Sequence, residues 1–408
     1  MYLASVERPA GAVDRGKRIA ANVLALGTVS LITDVSSEMV SAVLPLYLVV
    51  GLGLGPVVYG VVDGLYTGAT ALLRLVGGYV ADRVRRRKLI AGLGYGISAV
   101  AKAGLLAAGT SIPALSAAIV ADRAGKGLRT APRDALITLS TDPENLGRAF
   151  GVHRAMDSAG AFAGPLVAIA VLAASGQAFD AVFVVSGCIA TIGVLVLVLL
   201  VRDHRGEPRA AGKRIDLRQL RHAGVRTLLI AAALLGLSTI GDGFVYLMLQ
   251  RRENLATGWF PLLAVGTSLA YLVLAVPLGA LADRVGRAKV FLGGYAALLV
   301  VYLLLGTSWG GVPALVTVLL LYGGFYAATD GVLMAFAGPL LPAEIRTTGL
   351  ALIQTGQALA YLVSSVLFGV AWQWWDASGA IHAAAIAAVV TLGGSALLLL
   401  RTRREVAA

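Results

Sequence analysis

Two acids four residues apart, Asp34 and Glu38, interrupt an apolar run in the stretch Thr33-Asp34-Val35-Ser36-Ser37-Glu38-Met39. On a helix that spacing puts both carboxylates on one face. Neighbouring carboxylates in a low-dielectric setting cannot both stay ionised cheaply, which suits one of them to carrying a proton. His153 and Asp157 repeat the arrangement beside Arg154. Between these pairs lies a basic ladder: at about 100° per residue, Asp122, Lys126, Arg129 and Arg133 project within about 60° of one another, with Arg123 to one side. At about 1.5 Å per residue, Arg123 falls near the middle of the apolar layer and Arg133 near its edge. A charge as deep as Arg123 needs acidic partners or a wet cavity, whereas Arg133 is expected to snorkel to the headgroups. Two uses remain open. Asp34, Glu38, His153 and Asp157 are candidate proton carriers; alternatively Asp34, Glu38 and Asp157 neutralise Arg123, Lys126 and Arg154 in a fixed network.

The elements that must hold these charges are membrane helices. The chain is 58% hydrophobic and 14% charged with a mean hydropathy of +0.82, and apolar runs of about 20 residues, each long enough to cross a bilayer, recur throughout. The pattern predicts an all-α membrane protein of twelve transmembrane helices, approximately 20–50, 56–82, 89–108, 112–139, 149–174, 178–201, 226–249, 258–282, 290–308, 312–339, 347–372 and 378–400. A six-helix bundle is expected over 1–201, a cytoplasmic linker with an amphipathic piece at 215–220 over 202–225, and a second six-helix bundle over 226–408. The net charge of +12 would suggest nucleic-acid binding in a soluble protein. Here 25 of the 34 Lys and Arg fall in segments on one side: the amino-terminal tail, 83–88, Arg148, 202–226, 284–289, Arg346 and 401–404. That bias places both termini and the linker in the cytoplasm of a cell with an inner membrane, and excludes a nucleic-acid role. Trp259, Trp309, Trp372, Trp374 and Trp375 all fall at ends assigned to the outer face, where amphipathic rings favour the headgroups. Cys188 alone supports neither a disulfide nor a cysteine metal site, and no metal or cofactor is expected. The first apolar run is too long, and followed by too many others, for a cleavable signal.

The same element occurs twice, 201 positions apart: Gly78-Tyr79-Val80-Ala81-Asp82-Arg83 followed by Val84-Arg85-Arg86-Arg87-Lys88, and Gly279-Ala280-Leu281-Ala282-Asp283-Arg284 followed by Val285-Gly286-Arg287-Ala288-Lys289. A recurrence at half the chain length indicates duplication of one membrane unit. An aspartate there could accept hydrogen bonds at the exposed amino end of a neighbouring helix. The loop resembles the Gly-x-Leu-Ala-Asp-Arg-x-Gly-Arg-Arg/Lys hallmark of the major facilitator superfamily, with Arg85 standing where that family has glycine. The resemblance implies two pseudo-symmetric six-helix bundles and a conformational latch at Gly78, Asp82, Arg83, Gly279, Asp283 and Arg284. Arg123-Ala124-Gly125-Lys126-Gly127 resembles the family's helix 4 motif, implicated in proton transfer. Gly151, Gly160 and Gly164-Pro165 resemble its helix 5 antiporter motif, although Ala168-Ile169 replaces the final glycine pair. This second match implies an exporter.

In the second half Asp242 and Asp330 are the embedded acids, and Asp242 with Tyr246, Gln354, Gln357 and Tyr361 are candidate substrate contacts, Met248 lying near them. Asp63, Asp180 and Lys102 fall away from mid-depth and read as structural; Arg74 has no evident partner. No phosphate-binding Gly-x-x-x-x-Gly-Lys-Ser/Thr loop or catalytic nucleophile set accompanies these groups. The expected function is proton-driven antiport that exports a drug-like or xenobiotic molecule, with an anionic metabolite or carboxylate-type metal chelator as the alternative substrate. The expected partners are the small-molecule substrate, protons and the lipid bilayer, and a monomer is expected.

Overall fold

The computed structural model describes residues 20–84, 86–142, 145–203, 223–337 and 346–407, with side chains outside 74–84 and a few shorter stretches. The linker segment 204–222 with its amphipathic piece, the side chains of Arg74, Asp82 and Arg83, and the surroundings of Gly78 lie outside what is described. Helices dominate: α1 (Ala21–Leu46), α2 (Pro56–Val84), α3 (Arg87–Ala108), α4 (Ile112–Leu139), α5 (Leu146–Ala174), α6 (Phe179–Leu200), α7 (Ala223–Leu237), α8 (Asp242–Glu253), α9 (Pro261–Val285), α10 (Arg287–Gly306), α11 (Val312–Ala337) and α12 (Arg346–Ala407). The α7–α8 pair makes one crossing and α12 makes two. At about 1.5 Å per residue its 62 residues run to about three times the ~30 Å apolar layer. Asp376, at φ 66°, divides α12 and its Oδ1 accepts from the Gly379 amide at 2.8 Å, capping the second segment. Gln357 and Ser395, on opposite sides of that break, both approach α7, at Gly236 and Ala231. The two segments therefore run antiparallel, and twelve crossings result, arranged as two six-helix bundles.

Apolar side chains point outward as well as inward, as expected where lipid replaces water: Val276 is 78% exposed and Val100 72%. The five tryptophans differ in exposure. Trp259, Trp309, Trp374 and Trp375 are exposed, but Trp372 is buried against Phe244 and Phe368. A concavity of about 1040 Å³ between α3, α4 and α6 is lined by Leu89, Leu93, Ile97, Val100 and Val198 with Lys88 and Asp203 as its charged residues. It is a lipid-facing groove.

The seventh crossing is broken where the sequence predicts one continuous helix. Between α7 and α8, residues 238–241 leave helical geometry, and the hydroxyls of Ser238 and Thr239 turn back to the Leu235 carbonyl at 2.8 and 3.0 Å. Tyr302 of α10 repairs the gap, donating to the Ser238 carbonyl at 2.9 Å and accepting from the Ile240 amide at 3.0 Å. Irregular backbone inside a membrane persists only where protein satisfies it in this way.

The halves meet at the end of the bundle farthest from where α1 begins. There α2 runs against the first segment of α12: a Cβ added at Gly60 or Gly64 would strike the backbone of Ser365 or Leu362, and one at Gly369 would strike Pro56. Gly258 likewise packs on the Gln177 side chain. Small residues let the helices approach to backbone contact, and this end is closed.

Candidate functional site

Within the first half, α4 presents its ladder to acids of α1 and α5. Arg129 lies 3.6 Å from Asp34, Lys126 3.7 Å from Glu38, and Arg133 3.6 Å from Asp157. Asp122 receives two cations, Lys102 of α3 and the adjacent Arg123, whose Nε lies 3.0 Å away. The Arg123 guanidinium also stacks over Tyr66 at 3.9 Å from the ring centroid, and that of Arg129 over Tyr95 at 4.4 Å. These acids thus meet cations, with Arg129 and Arg133 beside Lys126 in place of Arg123 and Arg154. Asp34 takes Arg129, Asp157 takes Arg133, and Arg154 is exposed with no ion pair among the described residues. Arg133 does not snorkel. It is buried, bonded to Ser30 Oγ at 3.1 Å and to Asp134 at 3.0 Å, because acids on two helices reach it before the headgroups do. His153 is buried with neither ring nitrogen hydrogen-bonded among the described residues.

The helix 5 glycines set where the α1 acids sit. A Cβ at Gly160 would fall on the Leu31 carbonyl, and one at Gly164 on Glu38 Cβ and the Val35 carbonyl. Close approach of α5 to α1 is therefore built on these two positions. Gly151 faces open space and Pro165 lines the cavity described next.

Two adjoining cavities of about 410 and 450 Å³ lie between the halves and share Tyr66, Thr67, Asp242, Tyr326, Asp330 and Tyr361 as walls. Glu38, Asp63 and Tyr246 line the first; Arg123, Lys126, Gln354 and Gln357 line the second. All five suggested substrate contacts thus reach the cavities, and Gln357 Nε2 donates to Tyr295 at 2.9 Å. Met248 lines neither cavity and is buried in the apolar core. Asp63, read from sequence as structural, is on the wall and accepts from Tyr361 at 3.0 Å and Ser365 at 2.6 Å across the two halves, with Tyr59 at 3.4 Å. Asp242, the first residue of α8, accepts from Tyr322 at 2.7 Å and from Tyr326. Two signals could have marked this centre: Gly-Asp-Gly at 241–243 inside an apolar run, and the tyrosines Tyr322 and Tyr326 four residues apart.

In the second duplicated loop Asp283 bonds the Arg287 side chain at 3.0 and 3.1 Å, an exposed pair at the start of α10. It does not cap a neighbouring helix by its backbone amides among the bonds described. Gly286 has φ 106°, which explains glycine at that place in the loop; Arg85, its counterpart, lies outside the described residues. Gly279 meets open space and Arg284 is exposed.

Comparison with known sequences decides the family, since the profile of the Major Facilitator Superfamily matches residues 26–266 and 252–408. The chain belongs to the Major Facilitator Superfamily. An uncharacterized MFS-type transporter of Methanocaldococcus jannaschii is 31% identical over 379 residues, 88% of this chain and 90% of that protein. An uncharacterized protein of Mycobacterium tuberculosis is 34% identical over 187 residues, 46% of this chain and 44% of its own. Among solved structures, the nucleoside transporter NupG superposes with a TM-score of 0.77 at 15% identity, covering 93% of this chain and 99% of that one. The peptide transporter POT in complex with sulfate gives 0.76 at 16%, covering 94% and 95%. At such identities the likeness speaks for the fold. As a Major Facilitator Superfamily member, this chain is a multi-pass membrane transporter of a small molecule and not an enzyme.

Proposed function

We propose that this transporter is a proton-driven antiporter that exports a drug-like small molecule across the cytoplasmic membrane, its termini in the cytoplasm. The observation that carries the reading is the Glu38–Lys126 pair. Its members are 29% and 30% exposed, each on a cavity wall, while the acids and bases behind them are mostly buried. Glu38 therefore touches both the ion-pair network and the space for substrate. A proton on Glu38 frees Lys126 and changes the charge of the wall; its loss restores the pair. One group then reports proton occupancy to the substrate site, which antiport requires. Asp34, Asp157 and His153 continue the line into the first half as further carriers, with Arg129 and Arg133 as the ion-pair partners of the two acids. The helix 5 spacing supports export, and the duplicated Asp82 and Asp283 loops supply the latch between conformations. The ladder favours an anionic substrate less than its composition suggests, because each of its cations already has an acidic partner.

The test is a paired assay in proteoliposomes with a compound that raises the melting temperature of the purified protein. Transport driven by an imposed pH gradient is compared with counterflow at equal pH. Glu38→Gln should lose the first and keep the second. Wild-type transport insensitive to the gradient would end the antiport reading, and full gradient-driven transport by Glu38→Gln would remove Glu38 from the coupling.

A further inference from the structure

Asp63 and Asp242 differ from the embedded acids of α1, α4 and α5 in what neutralises them. Asp34, Glu38, Asp122 and Asp157 each have a Lys or Arg within ion-pair distance. Among the described residues Asp63 and Asp242 have none; their bonds come from the neutral hydroxyls of Tyr59, Tyr361 and Ser365, and of Tyr322 and Tyr326. The two acids come from opposite halves of the molecule yet lie close together. A Cβ added at Gly241 would land on the Asp63 carboxylate, one residue before Asp242. The amino end of α8 offers both a fraction of a positive charge, which falls short of two carboxylates. Around them stand aromatic walls: Tyr59, Tyr66, Tyr246, Tyr271, Tyr326 and Tyr361 all line the 410 Å³ cavity.

We infer that this cavity takes an organic cation, an amine or quaternary ammonium carried on a compact apolar body, with its charge between Asp63 and Asp242 and its alkyl groups against the tyrosine rings. The inference rests on the reading of the cavity as the substrate site. Acids without counter-ions in a low-dielectric wall are stabilised by a cation more than acids already paired. Tyrosine faces attract ammonium groups, and an aromatic enclosure is the usual receptor for quaternary ones. The cavity has the size of a small-ligand site, largely apolar with a few convergent polar groups. An anion would meet unpaired carboxylates, which supplies the discrimination. Arg123 and Lys126, the cations on the adjoining cavity wall, are committed to Asp122 and Glu38. A cation held by one acid from each half also bridges the parts that must move.

Equilibrium binding at one fixed pH, without a gradient, tests this separately from antiport. The full chain in lipid nanodiscs is titrated calorimetrically with tetramethylammonium and benzyltrimethylammonium, against neutral neopentylbenzene and anionic benzenesulfonate. The cations should bind and the neutral and anionic compounds should not. Asp63→Asn and Asp242→Asn should each weaken cation binding by about tenfold or more, the usual scale for losing one partner of a buried charged contact. Both should still unfold cooperatively and elute at the wild-type volume. Tyr326→Phe, which keeps the ring, should weaken binding less than Asp242→Asn. The inference is overturned if neither cation binds at millimolar concentration, if the neutral compound binds as well as its cationic counterpart, or if both folded Asn variants bind like wild type. Cation binding without gradient-driven transport would sink the antiport proposal alone. Gradient-driven transport of compounds that carry no positive charge, with no cation binding, would sink this inference alone.

Discussion

The charges of the first half and those at the interface between halves obey different rules. Among the described residues, the buried acids and bases of α1 and α4 each have an opposite partner within the same half, as with Asp34 and Arg129 or Arg133 and Asp157, and only the exposed Arg154 of α5 stands apart. Such a network travels with its bundle and keeps the same contacts however the halves are arranged. Asp63 instead bonds to Tyr361 and Ser365 of the other half, and Asp242 to tyrosines alone. The Asp63 contacts change whenever the halves separate, whereas those of Asp242 are made to Tyr322 and Tyr326 of its own half. The contrast teaches that buried charge in a carrier can serve two ends: pairs complete within one bundle hold its shape, and acids at the gap left with only hydroxyl partners remain open to a ligand.

The sharpest way to break the comparison is at Asp122, which two buried cations share. Asp122→Ala should leave Lys102 and Arg123 unpaired and cost about 3–5 kcal/mol, the usual penalty for orphaning a buried charge. Melting temperature and the monodisperse fraction in detergent should both fall steeply. Little change in either would mean that the network does not hold the bundle.

Next in size is the α1–α5 contact that positions the acids. Gly164→Val forces side-chain volume onto Glu38 and the Val35 carbonyl and should cost about 1–3 kcal/mol by overpacking. Thermal unfolding measures the loss. A tolerated valine would show that the close approach is dispensable.

Coupling between sites separates the two regions more finely. Removing the Tyr361 hydroxyl deletes one bond to Asp63, worth about 1–2 kcal/mol for a hydrogen bond to a charged group. Tyr361→Phe and Asp63→Asn should therefore be non-additive in a double-mutant cycle on melting stability. Asp63→Asn combined with Lys102→Met, which share no partner, should be additive within about 0.5 kcal/mol. Equal coupling in both cycles would merge the two regions into one network.

The smallest stability effect is expected at Asp283. Its pair with Arg287 is exposed, so Asp283→Asn should change stability by less than about 0.5 kcal/mol. If the loop is a latch, the same substitution should still slow transport measurably. Unchanged transport would leave Asp283 as an ordinary surface pair.

How much of this was legible beforehand varied with the range of the interaction. Hydropathy and the 201-residue duplication determined the twelve crossings and the two bundles, and helical periodicity placed Asp122, Lys126, Arg129 and Arg133 on one stripe facing acids. Those features depend on a residue's own chemistry and its neighbours within a few turns, which a sequence states directly. The tertiary structure alone decided that Asp34 takes Arg129 and not Arg123, that Arg133 turns inward, and that Asp63 belongs to the central cavity. It also decided that the seventh crossing could break, because the hydroxyl that repairs the gap is Tyr302, on another helix. Partner choice of this kind depends on which helices adjoin and how each is rotated about its axis, and those degrees of freedom are fixed only when the bundle packs.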